Sequence, residues 1–149
     1  MTPTVRRLVF PLIILSLIAS GLLSACSPRE AEHSYPMAPM AGMPAEVQSA
    51  PVTVQQAYQF AVANPDLLQQ LPCYCGCGPI GHTSNYACYV AEQNADGSAK
   101  TFDNHALGCS ICVDITQDAM RMLKDGKSVA EIRTYVDQSY AKYGPSNIP

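Results

Sequence analysis

Apolar positions along this 149-residue chain fall into one dense block near the start and three periodic stretches further on. The block runs from Leu8 to Leu23, interrupted only by Pro11, Ser16, Ser20 and Gly21. From Ser27 to about Pro51 no apolar period exists. Val54, Ala57, Tyr58, Ala61 and Val62 then share one face at 3.6 residues per turn, with Thr53 as the expected N-cap and Asn64-Pro65 as the stop. A second short turn is expected over Asp66 to Leu71. Cys109, Cys112, Ile115, Ala119 and Met122 keep helical spacing behind an N-cap at Asp103, until Gly126 supplies a left-handed stop. Ser128 and Glu131 form a Ser-x-x-Glu capping box for a last helix, with Val129, Ile132, Val136 and Tyr143 on or near one face and Gly144-Pro145 as its end. Joined by a short turn, these two helices should pack antiparallel. Between the periodic stretches, Pro72-Cys73-Tyr74-Cys75-Gly76-Cys77-Gly78-Pro79 predicts a tight thiol-lined loop, Asn85 to Glu92 a short helix, and Asn94-Ala95-Asp96-Gly97 a turn. The expected fold of residues 52–149 is therefore all-α: a small helical bundle with a C-terminal antiparallel helix hairpin and a long Cys-rich connecting loop.

The apolar block follows Arg6 and Arg7, and the first 25 residues hold no acid, which is the profile of a secretory signal. Sixteen residues fall short of the roughly 20 that a spanning helix needs. The block leads into Leu23-Ser24-Ala25-Cys26, which resembles the bacterial lipobox. That resemblance implies a signal peptide over residues 1–25 and lipidation of Cys26, so the chain would be exported and held at a membrane surface outside the cytoplasm. Two acyl chains suffice for stable anchoring. The competing reading is an uncleaved anchor with a chance cysteine. Residues 26–51, with Pro28, Pro36, Pro39, Pro44 and Pro51, read as a flexible Pro/Met-rich tether. Loss of the signal removes two of nine basic residues and none of the twelve acids, taking the formal charge from −3 to −5. Nucleic-acid binding then lacks its electrostatic basis.

Charge excludes one class of function; the cysteines suggest others. Apart from Cys26 there are six: Cys73, Cys75, Cys77, Cys88, Cys109 and Cys112. An even set outside the cytoplasm is first suspected of forming disulfides, which would staple a small core. Against that, Cys-x-Cys neighbours do not easily close a bridge, because disulfide geometry is demanding. His105, Cys109 and Cys112, at i, i+4 and i+7, project from one helical face over two turns, where a metal or a redox partner could meet them. The plainer account has both cysteines as small core residues and His105 at the helix start. His82 and Cys88 flank the loop and complete the candidate ligand set. Thiolates with imidazole suit soft metals: copper(I) leads, zinc is the lesser alternative, and iron–sulfur ranks last. Val113 stands where covalent haem attachment would need histidine. Met37, Met40 and Met43, preceded by His33, add a candidate secondary capture site in the tether. In a polyproline helix their thioethers would lie roughly 9 Å apart, so sharing an ion requires bending. Three methionines in a biased tract are equally an accident of composition.

The same thiols could instead perform disulfide exchange, since a Cys-x-x-Cys pair near a helix N-terminus has its thiolate favoured by the helix dipole. With Asp103 as the cap, Cys109 lies about a turn and a half inside the helix, which weakens that argument. No Ser-His-Asp pattern, phosphate loop or paired carboxylates are present, so no catalytic residue is assigned. The run Pro72 to Cys77 resembles the bacterial lipoproteins of the PCYCGC-motif family. The resemblance extends in general layout from Pro51 to Gly144, and it implies an exported lipoprotein and supplies no enzymatic activity. A looser similarity links Gly126-Lys127-Ser128 through Tyr143-Gly144 to the helical-hairpin ending of the thioreductive subunit of cytochrome c maturation; it implies a hairpin and no active residue. The leading expectation is a binding protein that exchanges a soft metal with a donor or acceptor protein. Next come a thiol–disulfide oxidoreductase acting on exported proteins and a disulfide-stapled structural domain.

Overall fold

The computed structural model describes residues 34–148. Cys26, His33 and the expected signal peptide over residues 1–25 lie outside them. Helix α1 (Ala45–Gln48) leads to α2 (Val52–Ala63) and α3 (Pro65–Leu68). After the Cys-rich loop come two 3-10 turns, Gly78–Ile80 and Tyr86–Cys88, then strands β1 (Val90–Gln93) and β2 (Ala99–Phe102). Helices α4 (His105–Gly108), α5 (Ser110–Lys124) and α6 (Val129–Tyr140) follow, and a last 3-10 turn spans Ala141–Tyr143.

The fold is not purely all-α. Val90 pairs with Phe102 and Gln93 with Ala99 in an antiparallel hairpin. The turn expected at Asn94 to Gly97 closes it, with Gly97 at φ +84°, the region that favours glycine, and its N–H donating to the Asn94 carbonyl at 3.0 Å. The helix expected over Asn85 to Glu92 is replaced by the 3-10 turn and β1. Tyr89 and Val90 are buried while residues 91–93 are exposed, so this segment anchors by one end and borrows its backbone partners from β2.

Two helices frame the core. Helix α5 buries Cys112, Val113, Ile115, Thr116, Ala119, Met120 and Met122 against α2 and α6. Its end is a full Schellman motif: Lys127 N–H donates to the Met122 carbonyl (2.9 Å), and Gly126, at φ +74°, donates to that of Leu123 (2.9 Å). The expected capping box opens α6, with Glu131 N–H on Ser128 Oγ (3.3 Å) and Ser128 N–H on the Glu131 carboxylate (2.9 Å). Ile132, Val136 and Tyr140 are buried, whereas Tyr143 lies beyond the helix and is exposed.

Two expected caps differ. Helix α2 begins one residue before Thr53, with Pro51 (φ −54°, ψ 148°) at its N-cap and no side-chain cap. Ahead of α5 the backbone breaks: Cys109 is extended (φ −121°, ψ 101°), so α4 and α5 are separate helices rather than one starting at Asp103.

The stretch expected to be a flexible tether is folded from residue 34 onward. Val47 and Met43 are buried, and Tyr35 meets the Phe60 ring edge-on at 5.1 Å. Amides of α2 hold the chain down, Gln59 Nε2 donating to the Ala38 carbonyl (2.8 Å) and Asn64 Nδ2 to that of Pro36 (2.9 Å). Such docking uses isolated apolar anchors and amide side chains, neither of which leaves a helical or strand period. It also takes Met43 into the core and packs Met40 against it, leaving Met37 exposed.

Candidate metal centre

The motif loop departs from α3 and crosses the N-terminal end of α5. Tyr74 points away to α6, its hydroxyl donating to Asp137 Oδ1 at 2.7 Å. Cys73 and Cys75, on either side of it, point the other way, as alternate residues of an extended chain do. Gly76 takes φ +80°, a conformation a side chain resists, and turns the chain so that Cys77 rejoins them. The three sulfurs lie within 4.8 Å of one another. At the loop's exit, Gly144 approaches so closely that a Cβ there would sit 2.9 Å from the Tyr74 carbonyl oxygen.

The break before α5 sets the second group. Cys109 is the N-cap residue of that fifteen-residue helix, and Cys112 lies in its first turn, fully buried. The pair is therefore at a helix N-terminus and not mid-helix as the expected continuous helix required. Cys112 Sγ lies 3.3 Å from Cys73, 3.7 Å from Cys75 and 3.1 Å from Cys88. Cys73 and Cys75 sulfurs are 3.3 Å apart, and Cys77 and Cys88 are 3.9 Å apart. Two imidazoles complete the arrangement: His105 Nε2 is 3.4 Å from Cys75 Sγ, and His82 Nδ1 is 3.5 Å from Cys88 Sγ. All eight ligands inferred from the sequence, Cys73, Cys75, Cys77, His82, Cys88, His105, Cys109 and Cys112, thus converge in overlapping groups. The six cysteines among the described residues are all free thiols.

A tetrahedral ion about 2.3 Å from each sulfur would separate its sulfur ligands by roughly 3.8 Å. The observed separations of 3.1 to 3.9 Å bracket that edge. The donor set, soft sulfur with imidazole and no carboxylate in the cluster, fits a soft or borderline metal.

Ionisation in this cluster is mutual. Burial pushes the Cys75 and Cys77 thiols up. Cys112 is raised chiefly by its contact with Cys73 and then by Cys88. Cys88 also rises: its hydrogen bond from Cys112 lowers it, but Cys73 and burial outweigh this. Cys73 alone is drawn down, by hydrogen bonds from Cys112 and Cys88 that overcome its burial. A metal-free cluster at neutral pH therefore keeps most of its protons around one favoured thiolate, and ligation must displace them.

Several supports carry no sequence signal. Asn147 clamps the loop: Cys73 N–H donates to its Oδ1 (2.7 Å), its own N–H donates to the Cys73 carbonyl (3.2 Å), and Nδ2 donates to the His82 carbonyl (3.1 Å) and lies 3.7 Å from Cys77 Sγ. Asp103 does more than start α4. Its Oδ1 accepts the His105 N–H at 2.7 Å, and its Oδ2 stands 3.4 Å from His82 Nε2, which leaves His82 Nδ1 for a ligand. Beneath Cys112, the Tyr89 hydroxyl (2.8 Å) and Asn85 Nδ2 (3.2 Å) donate to its carbonyl, and Thr116 Oγ1 donates to Asn85 Oδ1 (2.8 Å).

A family profile described as a protein of unknown function with PCYCGC motif matches residues 13–149. The chain belongs to the PCYCGC-motif family. No curated protein and no solved structure matches it. In this PCYCGC chain the named motif is one wall of a larger cluster, whose other walls come from residues 82–112.

Proposed function

We propose that this PCYCGC-motif protein is an exported, lipid-anchored binding protein that holds copper(I) and buffers it or passes it to a partner. One observation carries the reading: eight side chains drawn from four separate segments bring their soft donor atoms to one place. In a stapled domain cysteines pair off, whereas here Cys112 stands against Cys73, Cys75 and Cys88 together. Copper(I) is favoured over zinc because sulfur outnumbers imidazole six to two among the donors. Half-exposed Cys75 and Cys109 offer an incoming thiolate from a donor or acceptor protein a point of attack, so exchange proceeds by ligand substitution at that edge. A chromophoric copper(I) chelator in competition with the reduced protein, under nitrogen, tests this. The protein should withdraw copper(I) from the chelator, and a chelator that keeps all of it would defeat the reading. Anchoring through Cys26 is tested separately: Cys26→Ser should abolish incorporation of labelled palmitate, and retained label would remove the anchor.

A second reading has its own support. Cys109 and Cys112 at the head of α5 have the placement of a thiol–disulfide exchange pair. Cys112 is fully buried within the sulfur cluster, however, so the pair is less free to cycle than an isolated one. Alkylation and mass spectrometry of samples poised at graded potentials would reveal one reversible pair if this reading holds.

A further inference from the structure

The cluster holds more donor atoms than one ion can use. A soft ion takes up to four of them, yet eight stand together here. Seven of them fall into two overlapping sets of four: Cys75, His105, Cys109 and Cys112 on one side, and Cys77, His82, Cys88 and His105 on the other. These sets share only His105. Cys73 belongs to neither, but it groups with Cys88 and Cys112 and also with Cys75 and Cys77, so it stands between them. Its sulfur is 3.3 Å from both Cys75 and Cys112.

An ion in the first set alone would leave Cys77, Cys88 and His82 facing one another, all buried, with no charge to hold. Occupying only the second would strand Cys112 in the same way. Thiolates differ from imidazoles in having several lone pairs on the ligating atom, so a central thiolate can serve two soft ions while each imidazole nitrogen serves one.

We propose that the centre is polynuclear, holding at least two copper(I) ions side by side, with the Cys73 thiolate bridging them. The outer ion takes Cys75, Cys109 and Cys112. The inner ion takes Cys77, Cys88 and Nδ1 of His82, the nitrogen left free by Asp103 at 3.4 Å from Nε2. With the bridge each ion has four donors, and His105, which groups with both sets, stands between them as a spare ligand. The burial pattern gives the sites different access: Cys75, Cys109 and His105 are half-exposed, while Cys77, Cys88 and His82 are covered. The outer ion is therefore the exchangeable one, and the inner ion is retained longer.

This inference rests on the proposed copper-binding function, and its failure can be told apart from the failure of that function. The reduced full-length chain in detergent, titrated under nitrogen with copper(I) supplied as its acetonitrile complex, would be weighed by native mass spectrometry. Two or more copper ions per chain are expected at saturation. Cys109→Ser, at a half-exposed position, should lower the stoichiometry by one and leave a slowly exchanging ion behind. His82→Gln should also lower it by one, but leave an ion that a chelator removes quickly. A plateau at one copper per chain would overturn the polynuclear centre and leave the binding function standing. No copper on the wild-type chain would overturn both.

Discussion

Asn147 offers the sharpest test of how the motif loop is held. Asn147→Ala removes the acceptor for the Cys73 N–H at 2.7 Å and the donor to the His82 carbonyl at 3.1 Å, along with a weaker contact to Cys77 sulfur. The backbone bond from Asn147 N–H to the Cys73 carbonyl is untouched. At about 1 kcal/mol for each of the two stronger bonds, the loss is about 2 kcal/mol, or roughly a 30-fold change in the folded-to-unfolded ratio. With a urea dependence of about 1–3 kcal/mol per molar, the unfolding midpoint of the reduced, metal-free protein should fall by about 1 M. The assay is urea unfolding followed by tyrosine fluorescence and circular dichroism, whose agreement checks that the transition is two-state. Asn147→Asp keeps the acceptor and the size but sets a carboxylate oxygen against the His82 carbonyl, so it should lose at least as much. Unchanged midpoints in both variants would refute the idea that Asn147 clamps the loop.

Three further predictions concern the centre and its frame. Asp103→Asn weakens the support of His82 and His105 and should lower copper(I) affinity about 10- to 100-fold in chelator competition; unaltered affinity would show that Asp103 serves only the start of α4. Gly144→Ala places a Cβ 2.9 Å from the Tyr74 carbonyl oxygen, so the backbone must shift, at a cost of about 1–3 kcal/mol; an unchanged melting temperature would mean that the two segments separate freely. Stability should depend on pH with a maximum near neutral to mildly alkaline conditions. Cys75, Cys77, Cys88 and Cys112 have raised folded values, so above the ordinary thiol range the unfolded chain gives up protons that the folded chain keeps, and stability falls as pH rises. Cys73, drawn down, contributes in the opposite sense, losing its stabilisation as pH falls from the ordinary thiol range toward its own lowered value. Urea midpoints from pH 6 to 10 that climb steadily would contradict this balance.

The C-terminal hairpin was legible because its signals are local: a capping box at Ser128 and Glu131, and glycine at the end of α5. The side chains that meet at the candidate centre were legible through residue type, since the six thiols and the histidines near them stand out in the chain. What the chain's pattern hid is what depends on distant partners. The strands Val90–Gln93 and Ala99–Phe102 are short, with mostly exposed side chains, so each looks strand-like only once paired with the other. The break at Cys109 falls in a row whose helical spacing continues across it, which is why Asp103 looked like the cap of one long helix. Residues 34–51 dock through Tyr35, Met43 and Val47 spaced at intervals that match no regular element. Asn147, among Pro145, Ser146 and Ile148, carries no mark of its role until the loop folds over it.

X-ray absorption at the copper edge of the reduced, copper(I)-loaded protein tests the central claim most directly. The account predicts a sulfur-dominated first shell with an imidazole contribution that shrinks in His82→Gln. A shell dominated by nitrogen and oxygen would contradict the assignment of the six clustered thiols as the metal's ligands.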